Sequence, residues 1–245
     1  MPNAPVDHQL RLLDVQAADL RIQQAEHRRV TLDVLGRLDE LTREDAALEE
    51  ETVARATEVS DLRREVTKAE DDVQSVRARA DRDRGRLESG SSNAKDLQAL
   101  QSELEVLTRR LSDLEDIELE VMERLENAEA AHADAVARRE DIAKRRRELE
   151  HQRDVEFRSI DEEIRVAQEE RSAAAEGLDA GLLSLYERLR GQYGGVGAAP
   201  LQGSTCQGCH MTLNPADVRA IESAAPEQVM RCEECGRILV RKAAS

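Results

Sequence analysis

Aromatic rings are nearly missing from this 245-residue chain: Phe157, Tyr186 and Tyr193 are the full set, and there is no Trp. Large rings fill thick cores, so a chain without them must bury its surface in thin layers. Helix pairs do that with Leu, Val and Ala. Proline is absent between Pro5 and Pro200, a gap that long helices leave and few other folds do. Lysine is scarce, with 4 Lys against 32 Arg; that bias points to a GC-rich bacterial genome and says nothing about function. No apolar run approaches the ~20 residues a membrane span needs. The opening Met-Pro-Asn-Ala-Pro lacks the basic and apolar regions of a signal peptide. The expectation is a cytoplasmic protein with no membrane partner.

Charge, by contrast, is abundant. Charged residues make up 36% of the chain and the formal net charge is −16. From Tyr193 onward the bases Arg219, Arg231, Arg237, Arg241 and Lys242 balance Asp217, Glu222, Glu227, Glu233 and Glu234. The whole deficit therefore lies on residues 1–192. An acidic surface of this kind repels nucleic acid and anionic lipid.

Residues 1–192 carry a seven-residue apolar repeat, read by steps of three and four. It runs from Val6 through Leu10, Leu13, Ala17 and Leu20, across polar Gln24, His27 and Thr31, to Val34, Leu38, Leu41 and Leu48. It continues through Val59, Leu62, Val66, Ala69, Val73, Val76 and Ala80 to Leu87. Gly90-Ser91-Ser92-Asn93 interrupts it, with Gly suited to a helix end and Asn93 to a cap. The repeat restarts at Leu97 and passes Leu100, Leu104, Leu107, Leu111, Leu114, Val121, Leu125, Ala128 and Ala135. It thins at Arg139, Arg146 and Arg153, recovers at Ile160, Ile164 and Ala167, and ends with Leu178, Leu182, Leu185 and Leu189. A sustained heptad implies a left-handed supercoil. Helices over 6–88 and 94–192 would be roughly 125 and 150 Å long, and folding back near 88–94 pairs them almost fully. The rival is an uninterrupted rod that dimerises through the same seam; the turn favours a hairpin that is a monomer or weak oligomer. In that hairpin Gln24, His27 and Thr31 are expected to face Arg153 and Glu156.

Lys144-Arg145-Arg146-Arg147 is interleaved with Glu140, Asp141, Glu148 and Glu150 and reads as a solvated face rather than a nucleic-acid patch. His8, His27, His132 and His151 have no ligand spacing.

Glycines 191, 194, 195 and 197 with Pro200 end the second helix and read as a linker over 193–204. A ribbon domain over 205–245 follows. Cys206-Gln-Gly-Cys209 and Cys232-Glu-Glu-Cys235 offer two thiolates each, from two tight turns with 22 residues between them. Four thiolates complete a tetrahedral zinc site with bonds of about 2.3 Å. Gly208 and Gly236 are read as the positions where the turns need positive φ and close approach. Three other readings fare worse. Cys206-x-x-Cys209-His210 matches haem attachment, but this leaves the second pair unexplained. A dithiol redox site lacks the surrounding strand–helix pattern. A catalytic zinc needs an open position, and four thiolates close the shell, so one structural Zn2+ is expected. A domain of about 40 residues needs that metal to fold. The coiled coil has its own seam and is expected to stay helical when the ribbon loses its zinc. Asn214-Pro215 reads as the start of a short helix over 216–222, and Val229–Arg231 and Ile238–Arg241 as strands.

The ribbon residues Cys206-x-Gly-Cys209-His210-x-x-Leu213 and Cys232-x-x-Cys235-Gly236-Arg237-Ile238-Leu239 resemble the bacterial coiled-coil/C4-type zinc-ribbon family. The tip Asn93-Ala-Lys95-Asp96-Leu97-x-Ala99-Leu100-x-x-Glu103 is similar to that family's tip motif. It differs at Asp96 and Leu97, where Glu and an aromatic are usual, and Val240 replaces a frequent aromatic. The resemblance implies a mainly α fold, a long antiparallel coiled-coil hairpin with a small β ribbon beside its base. Family members are linked to protein and nucleic-acid binding, including flagellar regulators that engage an alternative sigma factor and RNA. No acid/base pair, phosphate loop or nucleophile constellation suggests an enzyme. The leading expectation is an adaptor or regulator that holds a protein partner through ribbon, tip or both. The alternative is weak nucleic-acid binding through Arg231, Arg237, Arg241 and Lys242, against a ribbon whose charge becomes −2 with zinc (+2) and four thiolates (−4).

Overall fold

A computed structural model describes residues 3–89 and 94–241. Lys242 and the turn expected at Gly90–Asn93 lie outside the described residues. The order is α1 (Val6–Val30), α2 (Asp33–Glu88), α3 (Ala94–Ala175), α4 (Ala180–Gln192), β1 (Ala198–Gln202), β2 (Thr205–Cys206), α5 (Pro215–Ser223), β3 (Met230–Arg231) and β4 (Ile238–Arg241). The chain forms two compact units, Arg37–Leu149 on its own, and the residues up to Gly36 together with those from Glu150 onward.

In the Arg37–Leu149 unit, α2 and α3 run antiparallel. Arg77 pairs with Glu115 at 2.7 Å, Arg63 with Glu129 at 2.6 Å, Arg138 with Glu51 at 3.0 Å and Arg139 with Asp45 at 3.1 Å. Partner numbers thus rise on α3 as they fall on α2, which defines a helical hairpin. The three exposed pairs contribute little each, about 0.2–1 kcal/mol, and Arg139–Asp45 is half-buried. The seam does more: Val59, Leu62, Val121 and Ala128 are buried together, with Val66 and Leu125 against them. Burying one Val or Leu side chain is worth about 1.5–3 kcal/mol. Lys144, Arg145, Arg146 and Arg147 are all exposed, and Arg147 bonds back to the Ala143 carbonyl of its own helix.

In the second unit the expected first helix is broken at Thr31–Leu32. The Thr31 backbone N–H and hydroxyl both donate to the His27 carbonyl, closing α1. The break resets the register. From Val34 to Leu87 the expected seam residues are buried or half-buried, whereas in α1 the buried apolar residues are Leu12, Val15, Ala18 and Ala25, and Ala17, Gln24 and His27 are exposed. The polar patches consequently do not meet as expected. Gln24 and His27 line a groove with Glu162, Glu163, Val166 and Ala167, while Arg153 pairs with Asp154 beside it in α3.

A second break separates α3 from α4. Gly177 takes a positive φ of 71°, and Asp179 caps α4 by accepting from Leu182 N at 2.8 Å. Arg11 of α1 donates to the Ala174 and Glu176 carbonyls at the end of α3. There a cation suits the negative end of the helix dipole. Four strands complete the unit in the order β2-β1-β4-β3.

The segment read as a linker is part of this sheet. β1 pairs parallel with β4, Ala198 opposite Ile238 and Leu201 opposite Arg241. On its other edge β2 reaches only Leu201 and Gln202, so Pro200, which has no N–H to give, is tolerated.

Candidate metal centre

The two Cys-x-x-Cys turns are built alike. In the first, His210 N–H donates to the Cys206 carbonyl at 2.8 Å; in the second, Gly236 N–H donates to the Cys232 carbonyl at 2.8 Å. His210 and Gly236 both adopt positive φ, 61° and 74°. Histidine is among the side chains that tolerate this region. Gly236 has no substitute, because a Cβ there would stand 2.6 Å from the Tyr193 hydroxyl. Gly208 is not one of the positive-φ residues. Close approach explains it instead, since a Cβ would meet Ala199 Cβ at 2.9 Å and Arg237 Cδ at 3.0 Å.

These turns bring Cys206, Cys209, Cys232 and Cys235 together, with all four Sγ atoms within 4.8 Å of one another. Cys209 Sγ lies 3.9 Å from Cys232 Sγ. Zinc–sulfur bonds of about 2.3 Å in a tetrahedron require sulfur–sulfur edges of ~3.8 Å, so the donor set fits zinc. Among the described residues this is the one group of three or more His, Cys, Asp or Glu side chains so arranged. Burial raises the Cys206 thiol, and raises Cys232 further. Burial also opposes the thiolate at Cys235, but hydrogen bonds from the Arg237 backbone and side chain and from Cys232 and Cys209 outweigh it and lower the thiol. An incoming cation thus meets one ready thiolate and must displace protons from the buried pair.

The sulfurs are packed with Ala199, Leu213, Ile221 and Leu239. Asn214 caps α5 by accepting from Ala216 N and Asp217 N, as its position before Pro215 implies.

The three described arginines of the ribbon's basic cluster are turned inward. Arg231 Nε donates to the Gly236 carbonyl at 2.7 Å, and Arg237 donates to the Val196 and Tyr193 carbonyls. Arg241 reaches the carbonyls of Ile221, Ala224, Ala225, Pro226 and Gln228. Nothing in the spacing of these arginines announced it; they look like surface charge because their acceptors are backbone carbonyls, which a sequence does not display. Gln9 and Gln16 were missed for the same reason. Both are buried. Gln16 accepts from Gly197 N at 2.7 Å and Ala198 N at 3.2 Å and donates to Gly195 O at 2.9 Å.

A pair of antiparallel helices and a four-sulfur knuckle in one chain define a coiled-coil hairpin protein with a C4-type zinc ribbon. The family model of the CT398-like coiled-coil hairpin domain matches residues 15–194, and that of the C4-type zinc ribbon domain matches 205–239. The chain belongs to the CT398-like coiled-coil hairpin family. It is 36% identical to Rv2229c of Mycobacterium tuberculosis over 97% of both chains. It is 30% identical to ML1638 of Mycobacterium leprae over 74% of this chain and 77% of that one. A solved structure from Mycobacterium smegmatis is similar at TM-score 0.85 and 34% identity, covering 98% of this chain and all of that one. CT398 from Chlamydia trachomatis shares the fold at TM-score 0.68 and 19% identity, over 96% and 98% of the two chains. The C4-type ribbon with its clustered cysteines carries one structural Zn2+. Among the described residues no helix is long and apolar enough to cross a membrane.

Proposed function

We propose that this protein is a non-enzymatic adaptor or regulator that holds a protein partner through its zinc ribbon, its hairpin tip or both. Cys206, Cys209, Cys232 and Cys235 hold the zinc, and its four thiolates leave no open position for chemistry. A reducing compartment, the cytoplasm, suits four free thiols. The observation that carries the reading is the inward turn of Arg231, Arg237 and Arg241. With those guanidiniums spent on carbonyls, the ribbon has few cations left to offer phosphate, and nucleic-acid binding becomes the weaker reading. Its outward surface at the first knuckle is instead His210, Met211 and Thr212, all exposed, with Met211 at 52%. Such a surface suits a protein partner, since Met adapts to varied apolar contacts.

The test is capture from host extract by the zinc-loaded chain, in parallel with a His210→Ala/Met211→Ala variant and a Leu97→Ala tip variant. A protein captured by wild type, resistant to nuclease and lost with either variant, is the expected result. Capture abolished by nuclease would instead establish the nucleic-acid reading.

A further inference from the structure

The sheet that carries the second cysteine pair is the shared wall of two cores. Along β4, Leu239 packs among the cysteines. Its neighbours Ile238 and Val240 pack on the other side, with Leu12 and Val15 of α1 and Leu182, Leu185, Tyr186 and Leu189 of α4. β1 divides the same way: Ala199 belongs to the cysteine core and Ala198 to the helical one. Side chains alternate across a strand, so each strand has one face on the metal centre and one on the helices.

Hydrogen bonds tie the layers together. Arg237, two residues beyond Cys235, gives its carbonyl to Cys232 N–H at 2.9 Å and its guanidinium to the carbonyls of Tyr193 and Val196. Ile238 N–H donates to the Gly197 carbonyl at 2.9 Å, and Gln16 of α1 grips Gly195, Gly197 and Ala198. Gly197 lies so close to α4 that a Cβ would stand 2.7 Å from the Tyr186 carbonyl. The loop before β3 is gripped as well: Gln9 donates to the Pro226 carbonyl at 3.2 Å, and Ala4 N–H donates to the Glu227 carbonyl at 2.8 Å.

We infer that the zinc of the ribbon holds the α1–α4 base closed. Metal loss loosens β4 and β1, and with them the cover over Leu12, Val15, Leu182 and Leu189. The four-cysteine core contains no large ring and few large apolar side chains, so without its metal it has little to hold β4 in place. Once β4 leaves and β1 loosens with it, Gln16 loses its hold on Gly197 and Ala198, and Leu12 and Val15, both fully buried, face water. The expectation that the helices ignore the ribbon's metal is thereby replaced for α1 and α4. The ribbon acts as a metal-dependent latch on the helices rather than as an appendage.

Hydrogen exchange on the full zinc-loaded chain tests this, with a zinc chelator added under a reductant that keeps the thiols free. The inference expects amide protection to fall in residues 9–19 and 182–189 together with the ribbon, by a factor in the range of about 5–150 that site couplings span. Protection at residues 59–73 should hold. Coupling is reciprocal in binding free energy, so Gln16→Leu should weaken zinc affinity in equilibrium competition with a chromophoric chelator while the protein still binds one equivalent. Ribbon amides that lose protection while residues 9–19 and 182–189 keep theirs would overturn the latch. So would a Gln16→Leu variant that holds zinc with wild-type affinity.

Discussion

The Tyr186 hydroxyl donates to the Asp19 carboxylate at 2.6 Å, and both side chains are buried where α1 meets α4. Arg171 Nε and an Arg190 terminal nitrogen donate to the other oxygen of Asp19 at 2.8 and 2.5 Å. Burial, and then the bond to Asp19, raise the Tyr186 hydroxyl well above the usual tyrosine range. Such a group binds its proton more tightly in the folded chain than in the unfolded one. Its contribution is therefore fully present below pH ~10 and is lost as pH rises past that value. Denaturant titrations from pH 8 to 11.5 should show stability falling above pH 10, by up to about 1.4 kcal/mol per pH unit for this one proton. Tyr186→Phe should be less stable at pH 8 by about 1–2 kcal/mol, and its decline above pH 10 should be shallower. An identical decline in both proteins would assign the alkaline loss elsewhere.

Metal analysis of protein purified with zinc present should return one equivalent per chain, bound by Cys206, Cys209, Cys232 and Cys235. Replacing Cys232 with Ser should reduce this below half an equivalent, since three thiolates no longer close the shell. Binding displaces protons from the raised Cys206 and Cys232 thiols, so affinity should fall as pH is lowered from 8 to 6. Titration calorimetry in buffers of different ionisation enthalpy would count the protons released. No release would contradict the protonation states assigned to the buried pair.

The antiparallel pairing of α2 and α3 makes a distance prediction. Arg63 and Glu129 form an ion pair at 2.6 Å, so cysteines placed at these positions should be joined within one chain by a short bis-maleimide. The native thiols should be protected by zinc during the reaction. Products joined only between chains would sink the hairpin and favour an extended dimer.

Much of this was legible in the residues. The heptad from Val34 to Leu87 and from Leu97 to Ala167 marked the buried seam, because helix burial is a matter of period. The cysteine spacing marked the four sulfurs that the structure gathers, and Asn214-Pro215 marked the start of α5. What escaped notice depends on chain segments meeting from afar. The break at Thr31–Leu32 shifts the seam in α1, yet Thr42, Thr52, Thr57, Thr67 and Thr108 make the same bond to the carbonyl four residues back inside unbroken helices, so the residue type does not mark it. Ala198–Leu201 looked like a linker because Ala and Pro have little strand propensity; pairing with β4, not propensity, makes it a strand. Gln9, Gln16 and Asp19 looked like ordinary polar residues of an amphipathic helix, and their partners lie more than 150 residues away.

Arg241 offers a way to separate a structural arginine from a phosphate-binding one. It ties the end of α5 to the loop before β3 through five carbonyls. Arg241→Ala should cost at least about 2 kcal/mol, the order expected for bonds from a charged donor. Amide protection over 221–228 should fall with it. Lys should not restore it, because one ammonium cannot reproduce the forked geometry of the guanidinium. Restoration by Lys would mean that charge rather than geometry matters at this position.

The same geometry limits how this ribbon can meet nucleic acid. Each phosphate contact on duplex DNA contributes about −0.9 to the slope of log affinity against log salt. If Arg231, Arg237, Arg241 and Lys242 were all free to contact phosphate, the slope would be about −3.6. Three of the four are engaged with backbone carbonyls of the chain's own C-terminal region. The ribbon's other bases are the exposed Arg219 of α5 and Lys242, and contacts from both would give a slope no steeper than about −1.8. The −16 charge of the chain opposes even these. Labelled duplex DNA and RNA titrated at two salt concentrations should therefore show binding no tighter than micromolar, with a shallow slope that Arg219→Ala reduces further. A slope near −3.6, or sub-micromolar binding that survives physiological salt and discriminates between sequences, would show that the arginines leave their carbonyls for phosphate. The protein-adaptor reading would then give way to a nucleic-acid regulator.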